Sequence, residues 1–397
     1  MTTGWVEIPD GSPFTVDNLP YGVFSTPGGR TRVGVAIGDH VFDLCAAWHD
    51  EVFADRSLNR FMAGGRERWR VARDRLRSLF GTSEDTTGAA RHLLPQSEVT
   101  LHLPFDVADY VDFYSSLHHA ENAGRIFRPG GEPLPPNWRH LPVGYHGRAG
   151  TVVVSGTPVV RPSGQRLTPE GRPVHGPSQR LDIEAEVGFV VGMPSRPGQP
   201  VSTDEFAEHV FGVVLVNDWS ARDLQAWESQ PLGPFTGKSF ATSISPWVVP
   251  LDALEAARLP APPQDPAPLP YLADRPGWTL DLTLEVALNG DVISRPPHAS
   301  MYWTPAQQLA HLTVNGASLR TGDLYASGTV SGPARDQWGS LLEMTWNGRD
   351  PLGLSDGSHR RFLEDGDTVA ISGDAPGSHG GRIGLGVVAG TIVPDAE

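Results

Sequence analysis

A single cysteine, Cys45, stands in a chain of 397 residues. That rules out an intramolecular disulfide and any zinc site built from clustered thiolates, and it makes a reducing compartment the default expectation. Cys45 itself, in Phe42-Asp43-Leu44-Cys45-Ala46, reads as a small buried hydrophobe. Positive charge is scarce too. Lys and Arg number 31 against 46 Asp and Glu, a formal net charge of −15, and no basic run interrupts the excess. Nucleic acid and anionic membrane surfaces are therefore not expected as partners, and an anionic substrate needs its own local Arg or Lys. No apolar run approaches the ~18 residues of a membrane-spanning helix. The opening Met1-Thr2-Thr3-Gly4-Trp5-Val6-Glu7 lacks the charged and apolar stretches of a signal peptide, so the expectation is a soluble, cytoplasmic protein.

Glycine and proline, by contrast, are abundant at 45 and 37, which implies many turns and few long helices, hence a β-dominated fold. The length exceeds what one core usually serves, so a large domain with a smaller partner is expected. Residues 21–25 and 32–44 alternate through Val33, Val35 and Ile37 with a turn at Gly38-Asp39, the pattern of a hairpin. Residues 66–80 space Trp69, Ala72, Leu76, Leu79 and Phe80 as an amphipathic helix with a solvated arginine face. After the polar turn-rich segment 81–88 a new strand starts near Val99, which divides the chain into 1–98 and 99–397. Beyond it, strands are expected over 151–155, 183–191, 211–217, 278–293, 368–372 and 382–393. Ser220-Ala221-Arg222-Asp223 resembles a capping box, with Asp for Glu, that opens a short helix through Trp227. The proline-rich stretch 259–276 reads as a surface loop.

Chemistry concentrates in a few places. Asp109-Tyr110-Val111-Asp112-Phe113-Tyr114-Ser115-Ser116-Leu117-His118-His119 gathers carboxylate, phenol and imidazole; on an extended backbone Asp112 and Tyr114 share a face, with His119 following. In Leu181-Asp182-Ile183-Glu184-Ala185-Glu186 the acidic residues fall on one face of a strand. Such a row is either a solvated outer face or a repelling set that demands a positive partner. The buried-type run 211–217 delivers Asp218 at its end. Asp112, Glu184, Glu186 and Asp218 together would form an all-oxygen cage suited to Ca²⁺ or Mg²⁺ and not to zinc or copper, with Lys238 as the neighbouring cation. Two motifs fail: Gly233-Pro234-Phe235-Thr236-Gly237-Lys238-Ser239 has one residue too few between its glycines for a phosphate-binding loop, and Gly384-Leu385-Gly386 lacks the third glycine of a dinucleotide site. Neither a serine-hydrolase elbow nor a zinc-protease helix motif is present.

Asp112-Phe113-Tyr114-Ser115-Ser116 with His119, Pro136-Asn137-Trp138, Leu141-Pro142-Val143-Gly144-Tyr145-His146-Gly147-Arg148, Asn217-Asp218-Trp219-Ser220-Ala221-Arg222-Asp223, Pro231-Leu232-Gly233-Pro234-Phe235, Gly237-Lys238-Ser239-Phe240 and Ser327-Gly328-Thr329-Val330-Ser331-Gly332 resemble the fumarylacetoacetase family over nearly the whole chain. The resemblance implies a small SH3-like N-terminal domain, a large C-terminal β-roll domain and a homodimer. It implies hydrolysis of the carbon–carbon bond of fumarylacetoacetate, a small anionic 1,3-diketo acid, to fumarate and acetoacetate, the last step of tyrosine and phenylalanine breakdown. By the same resemblance Asp112, Glu184, Glu186 and Asp218 bind Ca²⁺ (or Mg²⁺), with Lys238 and Thr242 lining a second cation position near Asp218. His119 is then the general base and Glu343 its orienting carboxylate, while Arg222, Gln225 and Lys238 surround the oxyanion. Tyr114, Arg128, Tyr145 and Thr329 match positions that contact substrate.

One departure stands out: after Gln225-Ala226-Trp227-Glu228 the family usually carries a Tyr that touches substrate, and here the residue is Ser229. Two other readings compete. A related hydrolase or decarboxylase acting on acylpyruvates would use the same carboxylates with a different base, and a non-catalytic β-rich module would use them as a structural calcium site.

Overall fold

A computed structural model describes residues 4–395. Met1, Thr2 and Thr3, part of the segment read for a signal peptide, lie outside the described residues, as do Ala396 and Glu397. The fold is mostly β, in several sheets, with short helices between. Among the described residues no helix is long and apolar enough to cross a membrane.

Strands β1 (Tyr21–Ser25), β2 (Arg32–Ile37) and β3 (His40–Asp43) form an antiparallel meander. Its tight turn uses Gly38 at φ 53°, where a side chain would be strained. Helix α1 (Gly65–Phe80) buries Trp69, Ala72, Leu76 and Phe80 against this sheet. Arg73 is the exception on its arginine face, being buried and donating to the carbonyls of Asp17 and Asn18. Cys45 is half-buried beside the same core. β4 (Leu93–Pro95) pairs with β3. β5 (Thr100–His102) pairs back onto β1, so the strand placed near Val99 remains with the first unit's sheet.

The second unit contributes β6 (Tyr110–Phe113), α2 (Leu117–Phe127), β7 (Gly144–His146), β8 (Val152–Val154), β9 (Ala185–Val191), β10 (Val210–Asp218), α3 (Arg222–Glu228), β11 (Thr242–Ile244) and β12 (Trp247–Pro250). After these come β13 (Thr283–Leu288), β14 (Asp291–Ser294), α4 (Pro305–Thr313), β15 (Leu324–Ala326), α5 (Leu341–Met344), β16 (Thr368–Pro376) and β17 (Arg382–Val393). Because Tyr21 pairs with Val248, one continuous sheet runs β4-β3-β2-β1-β12-β10-β9-β15-β6-β7 through both units, with β5 on β1, β11 on β10 and β8 on β11. A second sheet orders β14-β13-β16-β17 and ends on Val159–Val160.

Two expectations change here. The stretch 278–293 is not one strand, because Asn289 (φ 52°) and Gly290 (φ 91°) turn β13 back into β14, the Asn-Gly signature of a tight hairpin. The segment after Phe113 leaves the extended conformation and becomes α2, capped by Ser116, whose side chain accepts from His119 N; Asp112 and Tyr114 are therefore not neighbours on one strand face.

Alternation positions the site. In β10, Val213 and Leu215 face the large core while Val214 and Val216 face the core shared with the first unit. In β6, Val111 and Phe113 take the former side and Tyr110 the latter; in β9, Val187 and Phe189 take the former and Val190 the latter. By two-residue periodicity, Asp218, Asp112 and Glu186 all lie on the shared-core side, where the apolar rows of three strands end in carboxylates.

Candidate active site

The acidic row is not a solvated outer face. Asp112, Asp182, Glu184, Glu186 and Asp218 are all buried, and one carboxylate oxygen from each of Asp112, Glu184 and Asp218 lies within 4.8 Å of the others. Cross-strand register assembles the surroundings: Asp112 opposes Tyr145 between β6 and β7, and Asp218 opposes Thr242 between β10 and β11. The Tyr145 hydroxyl donates to Asp218 Oδ2 at 2.8 Å and Thr242 Oγ1 donates to Asp218 Oδ1 at 2.9 Å. Lys238 Nζ donates to Glu184 Oε2 and, at 2.8 Å, to Asp218 Oδ2. Burial works against its charge, but Asp218 and Glu184 outweigh that and hold the ammonium above its ordinary pKa. A protonated nitrogen offers no lone pair, so Lys238, like Thr242, meets the cage as a donor to its carboxylates.

Glu184 stays ionised. Burial opposes its charge, yet Lys238, Arg222 and His119 together pull its carboxyl well below the usual range. Asp112 and Glu186 are pushed the other way, well above it, first by burial and then by their acidic neighbours, Asp218 acting most on Asp112 and Asp112 most on Glu186. Glu186 stands beside Asp112 outside the three-carboxylate group. Both of its oxygens, and Asp112 Oδ1, are buried without a hydrogen-bond donor. Unpaired buried carboxylate oxygens cost several kcal/mol unless they hold a proton or meet a cation. A hard divalent ion with oxygen ligands fits this donor set.

A second cluster adjoins the cage. On α2, His119 is buried and its Nδ1 lies 2.7 Å from Glu343 Oε2. The same carboxylate accepts from Ser331 Oγ and Ser340 Oγ, each at 2.9 Å, and through Oε1 from Asn122 Nδ2 at 3.0 Å. Burial alone would raise the Glu343 pKa, but His119 and these donors win and lower it. An ionised Glu343 accepts the Nδ1–H proton, which fixes the imidazole tautomer and leaves Nε2 free. Tyr114 packs edge-on against His119 at 5.3 Å between ring centroids. Its hydroxyl pKa is raised by burial and then by Glu343 and Glu184.

Arg222 and Gln225 do share a face of α3: Arg222 Nη1 donates to Gln225 Oε1 at 3.3 Å and to Glu184 Oε1 at 2.7 Å. Arg222 Nη2 is buried with no partner, as is Thr329 Oγ1. Arg128 is exposed at the end of α2 and donates to the carbonyls of Glu132 (3.4 Å) and Pro133 (2.5 Å) in its own loop. The capping box expected at Ser220 does not form. Ser220 Oγ turns back to Asp218 O, and Asp223 accepts from Ser178 Oγ and Gln179 N instead. Asn122, Ser331 and Ser340 were not anticipated as partners of Glu343; Asn122 had a signal in its i+3 spacing from His119, hidden while that segment read as a strand, and Ser340 had one in its Ser-x-x-Glu spacing to Glu343, whose helix it caps.

Residues 109–393 match the family model described as Fumarylacetoacetate (FAA) hydrolase C-terminal, and residues 17–104 match Fumarylacetoacetase N-terminal. The chain belongs to the fumarylacetoacetase family. Human fumarylacetoacetase is 48% identical across 98% of this chain and 98% of its own length. The Arabidopsis thaliana fumarylacetoacetase is 46% identical across 99% of each. Among solved structures, a fumarylacetoacetate hydrolase from Exiguobacterium antarcticum aligns at a TM-score of 0.58, covering 95% of this chain and 99% of its own; at 18% identity that likeness speaks for the fold alone. The N-terminal match ends at residue 104 and the C-terminal match begins at residue 109, both between His102, the last residue of β5, and Tyr110, the first of β6.

Proposed function

We propose that this protein hydrolyses 4-fumarylacetoacetate to fumarate and acetoacetate. The observation that carries the reading is the junction of a donor-poor carboxylate cage with a buried His–Glu dyad, in a chain nearly half identical to fumarylacetoacetases along its length. Asp112, Glu184, Glu186 and Asp218 would hold the cation, calcium or magnesium, with Lys238 and Thr242 serving it as donors to Asp218 and, for Lys238, Glu184. When bound, such an ion polarises the diketone oxygens and stabilises the enolate that leaves.

Everything else falls to the side chains. His119 takes a proton from the attacking water at Nε2 while Glu343 holds Nδ1–H, a role worth about 10²–10⁴-fold. As water adds to the ketone carbon, Arg222 Nη2, with no other partner, the Gln225 amide and the Lys238 ammonium are the available donors to the oxyanion; removing one such donor typically costs on the order of 10²-fold. The carbon–carbon bond then breaks, its electron pair leaves with the enolate, and the enolate carbon takes up the proton that His119 removed from water, which restores the neutral base. Tyr114, Tyr145 and Thr329 would line the substrate. Arg128 would receive a substrate carboxylate bidentately, which requires it to exchange the loop carbonyls it now holds.

The same reading takes the first unit as SH3-like, with its boundary just after β5, and the second as a β-roll. It takes the protein as a cytoplasmic homodimer, and the exposed Trp227, Leu232 and Phe235 near the site offer apolar surface to a second copy. The test is product identification: incubation with fumarylacetoacetate should yield fumarate and acetoacetate in equal amounts. Recovery of neither product, or of a decarboxylated but uncleaved acid, would overturn the assignment.

A further inference from the structure

The acidic row contains one member that the cage does not use. Asp182 is fully buried and all four of its contacts are N–H donors. Oδ1 accepts from Ile183 N and Leu341 N, both at 2.7 Å. Oδ2 accepts from Leu342 N at 3.0 Å and from Arg222 Nε at 2.8 Å. These donors belong to three segments: the residue that follows Asp182 in the chain, the first turn of α5 that carries Glu343, and the arginine that opens α3.

Arg222 meets a different carboxylate on each of two nitrogens. Glu184 takes Nη1 and Asp182 takes Nε. A guanidinium is a rigid planar fork, so two anchors on separate nitrogens fix its plane, whereas one anchor would let it pivot. What remains unengaged is Nη2, buried and unpartnered. The same Asp182 carboxylate holds the N–H groups of Leu341 (on Oδ1) and Leu342 (on Oδ2, beside Arg222 Nε), and Glu343 follows directly on α5.

We propose that Asp182 is the positioning residue that sets the oxyanion donor of Arg222 against the His119–Glu343 base, so that both reach one substrate carbonyl. The inference rests on the hydrolysis proposed above. Geometry of this kind matters because a displacement of roughly 1 Å in a reacting arrangement can cost about 10²-fold.

Asp182→Asn sets an amide N–H against one of the two donor pairs, and Asp182→Glu keeps the charge but pushes the carboxylate forward by one methylene. In the metal-loaded protein, Asp182→Asn should lower kcat by about 50-fold and Asp182→Glu by about 10-fold, with KM within threefold of wild type and calcium stoichiometry unchanged. These sizes follow from misplacing a donor used chiefly in the transition state. The low-field proton resonance of His119 Nδ1–H, recorded without substrate, should shift in both variants, because α5 moves with its anchor. Should Asp182→Asn fail to fold, Asp182→Glu carries the test. A folded variant with kcat within threefold of wild type, a loss confined to KM, or an unmoved His119 resonance would overturn the proposal. Failure of the wild-type protein to cleave fumarylacetoacetate would strike the reaction assignment instead, and the resonance would still report on Asp182.

Discussion

Two buried carboxylate clusters lie side by side and are built on opposite principles. Around Glu343 the protein supplies every partner: His119, Asn122, Ser331 and Ser340 converge on one carboxylate. Around Asp112 and Glu186 it withholds them, leaving three oxygens without a donor. A buried carboxylate is tolerated when its hydrogen bonds are made and is costly when they are not. The difference therefore separates a finished device, which holds a histidine in one tautomer, from an unfinished one that needs a cation.

Breaking the unfinished half should have the largest effect. Glu184→Ala with Glu186→Ala should abolish both calcium binding and turnover; in the metal-free fold the loss of Glu186 relieves repulsion among buried carboxylates, whereas the loss of Glu184 takes a partner from Lys238 and Arg222 and lowers stability. Calorimetry with calcium checks it, and wild-type affinity in the double variant would mean that the cage was assigned to the wrong residues.

Breaking the finished half should cost less and leave the cation alone. His119→Ala is expected to lower kcat by about 10²–10⁴-fold with calcium affinity unchanged, since the imidazole contacts Glu343 and not the cage. Neighbouring His118→Ala should stay close to wild type. Steady-state kinetics on the pair, alongside calorimetry, separates base from ligand.

The two halves should also respond to pH with opposite sign. Glu343 is held below its ordinary pKa, so its contribution to stability is present above the unfolded carboxylate range and is lost as pH falls through its folded value. Asp112 and Glu186 are held above theirs. The unfolded chain releases those protons first, so in metal-free protein stability falls as pH rises from the unfolded carboxylate range toward the raised folded values. Melting temperatures of the metal-free protein from pH 4 to 8 should show that decline, and saturating calcium should remove it. A metal-free protein that grows steadily more stable over that range would contradict the contrast.

The cage was legible in the sequence because its members end apolar β runs: Asp218 closes β10, Asp112 sits late in β6, and Glu186 interrupts β9. Charge does not belong in such places without a reason, and two-residue alternation carries that signal to the right face. The dyad was not legible from spacing, since His119 and Glu343 are 224 residues apart and only the family resemblance joined them. Asn122 went unseen because the stretch after Phe113 read as extended, whereas Ser116 caps it into helix α2. Ser340 stands in a Ser-x-x-Glu capping pattern with Glu343 that went unread, whereas the roles of Ser331 and Asp182 depend on where distant backbone comes to rest. The false capping box at Ser220 shows the converse, a local motif overridden because Asp223 finds better partners in Ser178 and Gln179.

The smallest effect concerns the rim of the site. Ser229, where the sequence resemblance leads one to expect a Tyr, donates to Gln225 O at 2.5 Å. If that phenol gives a hydrogen bond in ground and transition states alike, Ser229→Tyr should lower KM by up to about tenfold with little change in kcat. Abolished turnover would show that the pocket is shaped around the small residue and suits a bulkier diketone.

The most direct test of the contrast is the loss of fumarylacetoacetate absorbance in protein stripped with a chelator and then given calcium back. The account predicts no turnover when stripped, recovery on calcium in the wild-type protein, and no recovery in the Glu184→Ala, Glu186→Ala variant. Full activity in the stripped protein would contradict it.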